Sequence, residues 1–513
     1  MSKRLIALST VIAVISVYFS IFRTPPTTAP PPEEIRVRIL EHHTPQTLSI
    51  HAATQIDVLD DRGNPISSVA VDPLSAVEIT RQRNQLRIAA SGENVTAHGV
   101  VVHASTSALS LSAKRANIQR AYQGKLVIHP DPSEPRGLYV VNHVGMDDYV
   151  AAVVVKEYGP HHIEGMKAMS VVARTYAARK LDPTQPYDVV DHQADQVYKG
   201  IEGVTADAKQ AAYTTTGQVL THNGQLINAV HFASSGGHTA NNEDVWLGGP
   251  QPYLRGKRDP FDQGADYITW DSSIKRARLL NILSDHIGER VLSVSMGPKS
   301  PEGRVKAMRL ELATGRTMDM QGTKFRSVVT RAEGIRALRS TLFVMQKSGG
   351  NYLFEGRGFG HGVGLSQVGA RTMAEQGRPY EDILMFYYTD VRLSERQGDA
   401  TLAQAAAPAQ LLPPEIANDP FLRMEMEGRI GNGSNVTPAP APVTNGLPPE
   451  IANDPFLRME MEGRIGNGAP QSDIYSPAVM HQQRYGTPPP TTTAPARRAE
   501  PARRAEPTRR SGW

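Results

Sequence analysis

MDDYVAAVVVKEYGPHHIEGMKAMSVVARTYAARK, residues Met146–Lys180, is the stretch from which the rest of the chain is best read. It predicts two helices separated by a sharp break at Gly159-Pro160. Asp147 or Asp148 is expected to cap the first, where Val150, Val153 and Val154 recur at helical spacing. Glu157 follows those valines by seven, four and three positions and shares their face. The second helix sets Met166, Met169, Val172, Ala173, Tyr176 and Ala177 on one face, with Lys167, Ser170 and Arg174 as a polar stripe beside it. A carboxylate on an apolar face is costly unless it is paired, hydrogen-bonded or protonated. Glu157 therefore reads either as a side chain reaching solvent past the helix end or as a general acid with a raised pKa.

The chain has 513 residues, enough for two or three domains, and at 40% hydrophobic and 21% charged most of it should fold. There is no cysteine, which excludes disulfides, thiolate catalysis and cysteine zinc sites together. The formal net charge is +4, and the last eighteen residues, with six Arg and two Glu, account for all of it. The remainder is balanced, so nucleic-acid binding has no support outside the tail.

Lys3-Arg4 precede the apolar run Leu5–Phe22, about long enough to cross a bilayer. The run ends in bulky residues rather than a small-residue cleavage site, so residues 1–23 read as an uncleaved anchor with the body exported. A cleaved signal peptide is the alternative. Residues 24–34 are a Pro/Thr-rich spacer. Residues 35–145 form short β-type runs broken by turn signals such as Asp61-Arg62-Gly63-Asn64-Pro65, with no catalytic constellation among them. The fold class expected is α+β: a β-rich N-terminal portion (35–145), a mixed α/β catalytic part (146–393), then a disordered tail (394–513).

Beyond Lys180, Asp191, His192 and Asp195 invite a metal reading, although a solvated turn explains them as well. Next comes HFASSGGHTANNEDVWLGGPQPYLRG, residues 231–256. Ser235, Gly236, Gly237 and His238 after an apolar strand imply backbone close to something bound. Trp246 and Tyr253 suit stacking on sugar rings or ordinary core packing. A serine nucleophile with His231 or His238 as base is the rival chemistry; against it, no G-x-S-x-G elbow occurs here and nothing singles out an acidic third member. A helix near Ser273–Asp285 and a β meander follow. The last folded stretch contains GRGFGHGVGLSQVGARTMAEQGRPYEDILMFYY, with glycine at 356, 358, 360, 362 and 364. Such alternation suits an extended segment with another backbone or a ligand against one face. It is no phosphate loop, lacking G-x-G-x-x-G and any following Gly-Lys-Ser/Thr. In the tail, Leu412–Gly433 and Leu447–Gly468 are identical, either a tandem partner-binding peptide or a duplication without function.

The three blocks, in this order, resemble the stage II sporulation protein D (SpoIID)/LytB domain family over residues 35–393. The resemblance implies a peptidoglycan-acting domain. Its members include lytic transglycosylases that cut glycan strands denuded of stem peptides, and amidase enhancers. The family's essential acid falls on Glu157 and its second-helix Arg on Arg174. Its Ser-Gly-Gly run falls on Ser235, Gly236 and Gly237, and its G-H-G-V-G-x-S-Q run spans Gly360, His361, Gly362, Ser366 and Gln367. Lys167 and Arg174 are expected to hold the lactyl carboxylates of denuded strands. Some members bind zinc through cysteines in the segment matching Asp188–Tyr198. Val190 and Asp195 stand there in this chain, so neither zinc nor any other cofactor is expected. The implied partners are peptidoglycan glycan strands, a cell-wall amidase, and the membrane through the N-terminal segment.

Overall fold

A computed structural model describes residues 33–395, apart from 105–107, 114–115, 193, 247 and 263–267. The anchor run, most of the spacer and the tail with its duplicated segments lie outside the described residues.

Strict alternation builds the N-terminal part. Along Glu34–Ile39 and Leu109–Ala113 every second side chain is buried, and Lys125–Pro130 keeps the alternation as far as Ile128, as a half-buried strand demands. The strands form two sheets. The first, seven-stranded, runs Val189–Val190, Glu34–Ile39, Leu138–Gly145, Lys125–Pro130, Gly99–His103, Gln55–Leu59, Pro65–Ala70. The second, six-stranded, runs Ile118–Tyr122, Leu109–Ala113, Thr47–His51, Val77–Gln82, Gln85–Ala90, Glu93–Ala97. Their inward residues share one hydrophobic core with the helices that follow, so both the expected β-rich part and the helical part pack against it.

Two connections position the site. Strand Leu138–Gly145 pairs antiparallel with Glu34–Ile39 and runs straight into helix Met146–Glu157. After helix Ile163–Lys180 the chain returns as Val189–Val190, parallel to Glu34–Ile39. That short strand carries the loop after it back to the end of the first helix.

The helices differ from the pattern expected of them. Tyr149 to Val155 are all buried, so the first helix has no separate apolar face; its end is what sets Glu157 apart. Its N-cap is Gly145, with no side-chain cap. Asp147 instead accepts from Arg174 at 2.8 Å and Thr216 at 2.8 Å, and Asp148 from the Tyr213 hydroxyl at 3.0 Å. The expected polar stripe on the second helix is mostly interior: Ser170 and Arg174 are buried, and only Lys167 is partly exposed.

Residues 269–357 have a second core, centred on Phe325, Phe343 and Phe354. Three-stranded sheets Thr269–Lys275/Asn351–Arg357/Phe343–Ser348 and Val291–Met296/Ala307–Leu312/Thr317–Gln321 enclose it with helices Arg276–Ile287 and Gly322–Glu333. The expected helix at Ser273 begins three residues later, because buried Trp270 and Ile274 keep the strand period while pairing with Asn351–Arg357.

Candidate active site

Glu157 is the last residue of its helix, and its side chain is 11% exposed. Its Oε1 accepts the Val197 backbone N–H at 2.8 Å, from the loop that the Val189–Val190 strand brings back. Its Oε2 lies 3.7 Å from Nε2 of His231, whose side chain is 12% exposed. Its backbone carbonyl accepts from the Gln367 amide at 2.9 Å. The first block thus supplies the carboxylate, the second an imidazole beside it and the third an amide behind it. Four points distant in sequence meet at one half-turn of helix.

His231 is itself held. It opens strand His231–Phe232, which pairs parallel with Leu365–Ser366. His361, fully buried, donates from Nε2 to the His231 carbonyl at 2.9 Å and accepts the Val363 N–H at Nδ1, 3.1 Å. That pattern requires the neutral ring. Burial, with Arg326 and Arg304 nearby, holds the His361 pKa well below its usual value.

The two glycine-rich runs face each other. Ser234 and Phe359 exchange backbone hydrogen bonds at 3.0 and 2.8 Å. A Cβ on Gly236, where φ is +67°, would meet Gly358 N at 2.8 Å. The close partner expected of each run is therefore the other backbone. Below them lies a buried carboxylate pair. Asp262 accepts from Ser234 Oγ at 2.9 Å, Ser366 Oγ at 2.7 Å and the Ser235 N–H. Asp259 accepts from Ser235 Oγ at 3.1 Å and the Tyr387 hydroxyl at 3.0 Å. Burial, then the neighbouring Asp262, push the Asp259 carboxyl up to about 6. The serine-nucleophile reading finds no geometry here. Both serines give their protons to aspartates, and His238 Nδ1 is bonded to the Thr239 carbonyl at 2.7 Å.

Several expected ligand-binding residues turn out to be structural. Arg174 is 2% exposed and spent internally, on Asp147, Ala212 O, Thr215 and Gln218 O; it is not available to a glycan carboxylate. Trp246 is buried with its ring 4.9 Å from that of His361, so it packs the core under the site rather than offering a face to sugar. Tyr253 accepts the Asn228 N–H at 3.3 Å and packs beside His222. Ser366 caps helix Gln367–Glu375, and Gly360 donates to the Arg339 carbonyl at 2.9 Å. Lys167, 22% exposed, pairs with Glu164 at 2.7 Å and sits over the Tyr380 ring. Asp191, His192 and Asp195 diverge: Asp191 takes Leu40 N–H and Arg120, His192 meets Glu41, and Asp195 takes Tyr176 and Val190 N–H. Among the described residues no cluster of three or more such groups is arranged to hold a metal ion.

Sequence reasoning missed Val197 altogether, since a backbone donor leaves no mark in residue type. It weighed His231 only as the base for a serine. The signal that could have placed it was its position at the head of the strand leading into the Ser-Ser-Gly-Gly run.

Comparison with known proteins agrees with the first block and extends past it. A family model described as Stage II sporulation protein matches residues 134–222, which include Glu157 and Val197. A Domain of unknown function (DUF8618) matches residues 261–364, which include the second core and His361. An uncharacterized protein of Brachyspira hyodysenteriae is 28% identical over 365 residues, 70% of this chain and 92% of that relative. Stage II sporulation protein D of Bacillus subtilis is 28% identical over 281 residues, 50% of this chain and 76% of the relative. The Amidase enhancer of the same organism is 28% identical over 278 residues, which cover 45% of this chain but only 38% of that protein.

Proposed function

We propose that this chain, a member of the stage II sporulation protein D family, is a peptidoglycan lytic transglycosylase whose working group is Glu157. The family is associated with peptidoglycan processing, which sets the substrate class. The observation that carries the finer reading is the convergence of His231, Val197 and Gln367 on Glu157.

A glycoside hydrolase ordinarily needs two carboxylates, one on each side of the bond. Here an imidazole, that of His231, stands 3.7 Å from the Glu157 carboxylate. A single carboxylate suffices for a transglycosylase. Protonated Glu157 gives its proton to the glycosidic oxygen after N-acetylmuramic acid as the C1–O bond breaks. The resulting carboxylate takes the proton from that sugar's own C6 hydroxyl, whose oxygen closes on C1. The product is a 1,6-anhydro end, water is not consumed, and Glu157 returns to its starting state. The Val197 N–H steadies the carboxylate stage, because a hydrogen bond to the charged form favours it. Gln367 fixes the helix end, so the carboxyl is aimed by backbone as well as by side chain.

The test is Glu157→Gln on amidase-treated glycan. A general acid contributes roughly a hundred- to ten-thousand-fold, so release of anhydro ends should fall by at least that while the protein stays folded. Undiminished release removes Glu157 from the role. A second reading, a glycan-binding amidase enhancer without its own cleavage, is favoured by the similarity to the protein of that name. Intact denuded strands that co-sediment with the wild-type chain would select it.

A further inference from the structure

Residues 269–357 have a core of their own, and no step of the proposed chemistry needs them. One of their side chains nonetheless leaves that module and enters the site's foundations. Arg304 follows the turn at Ser300–Gly303, and Ser300 Oγ pins it by accepting its N–H at 3.1 Å. The residue is 1% exposed. Its Nη2 donates to the carbonyls of Ser235 at 3.1 Å and His238 at 3.4 Å. Its guanidinium lies against Gly362, where a Cβ would come within 2.3 Å of Cζ. One side chain thus touches both glycine-rich runs from a part of the chain that belongs to neither.

The arrangement is expensive. Nε and Nη1 have no hydrogen-bond partner among the described residues, and burial lowers the guanidinium pKa to about 10. A buried charge is weak evidence of a stabilising role, because its desolvation can exceed what its contacts gain. What Arg304 holds suggests a different use. Gly362 adjoins His361, His361 holds the His231 carbonyl, and His231 faces Glu157 at 3.7 Å. The charge of Arg304 also disfavours protonation of His361, whose neutral form the Val363 contact requires.

We infer that the 269–357 module is a positioning device for the Glu157–His231 pair, with Arg304 as its working contact through the Ser235–His238 loop and His361. The inference rests on Glu157 being the working carboxylate. Contacts from the same module lie around Arg304: Lys306 pairs with Asp244 at 2.7 Å, and Gln321 donates to the Val245 carbonyl at 3.0 Å. They join the module to the second block, while Trp270 Nε1, donating to the Gly358 carbonyl at 3.0 Å, and the Arg339 carbonyl, accepting from Gly360 at 2.9 Å, reach the glycine run of the third block; Arg304 alone of these also holds the Ser235–His238 loop.

The experiment uses the full chain with Arg304→Met, Arg304→Lys and Ser300→Ala. Thermal unfolding is measured first, then kcat and KM for anhydro-end release, and hydrogen exchange by mass spectrometry. A displacement of about 1 Å at the pair is expected to lower kcat about 100-fold in Arg304→Met, with KM within about two-fold. Arg304→Lys should recover part of that loss. Faster exchange should be confined to peptides covering 231–238 and 359–364. A folded Arg304→Met with wild-type kcat, or with faster exchange only in the module's own core, overturns the inference. If Arg304→Met does not fold, Ser300→Ala, which loosens Arg304 without altering its guanidinium, must lower kcat with KM held; wild-type kcat there overturns it equally. If the wild-type chain releases no anhydro ends, the functional reading fails, and the exchange pattern alone decides the positioning claim.

Discussion

Replacing Asp259 by Asn should flatten the pH dependence of this protein's stability. The Asp259 carboxyl is fully buried under the Ser234–Gly237 loop and titrates at about 6, against 3.8 for the ordinary group. That gap of about two pKa units corresponds to about 3 kcal/mol. The folded pKa is raised, so the contribution is complete below the unfolded value of 3.8 and is lost as pH rises through about 6. At neutral pH the wild type therefore carries an ionised carboxylate beside Asp262 that burial disfavours. Asn removes the titration and keeps the shape. Its carbonyl can still accept from Phe261 and Asp262 N–H, and its amide can face the hydroxyls of Ser235 and Tyr387, which also accept. Urea unfolding of both proteins at intervals from pH 4.5 to 7.5 provides the comparison. The wild type should lose about 2 kcal/mol relative to Asp259→Asn across that window, the rest of the change lying below pH 4.5, since every other titrating group is common to both. Curves that stay parallel within about 0.5 kcal/mol would refute the assignment of this carboxyl.

Three further outcomes are expected. Arg174→Met should cost about 3–5 kcal/mol in the same unfolding assay, because Asp147 is left without its buried partner; Lys167→Ala, which breaks a partly exposed pair, should cost no more than about 1 kcal/mol. Membrane fractionation with N-terminal sequencing should recover the chain in the membrane with residues 5–22 intact, the proposed anchor. A soluble form beginning near Arg23 would show instead that the segment is cleaved.

The strands of the β-rich part were legible because several carry a period of two, as Glu34–Ile39 does. Glu157 stood out as a carboxylate on a valine-rich helix, with the solvent-reaching and general-acid readings both open. The sequence placed Arg174 on a ligand and left Trp246 open between sugar stacking and core packing, for a common reason. A residue able to bind a ligand is equally able to bind the protein, and type alone does not say which. Arg174 found Asp147, and Trp246 found His361.

The sequence alone determined where the carboxylate sits on its helix, that glycine must line two close backbone approaches, and that cysteine chemistry is absent. These are properties of local spacing and composition, and the chain carries them before it folds. Tertiary structure decided that the two glycine runs approach each other, that His231 faces Glu157, and that Arg304 reaches in from a separate core. Each of those is a contact between segments tens to hundreds of residues apart, fixed by strand pairing and by burial. Neither has a period or a motif that a linear reading can register.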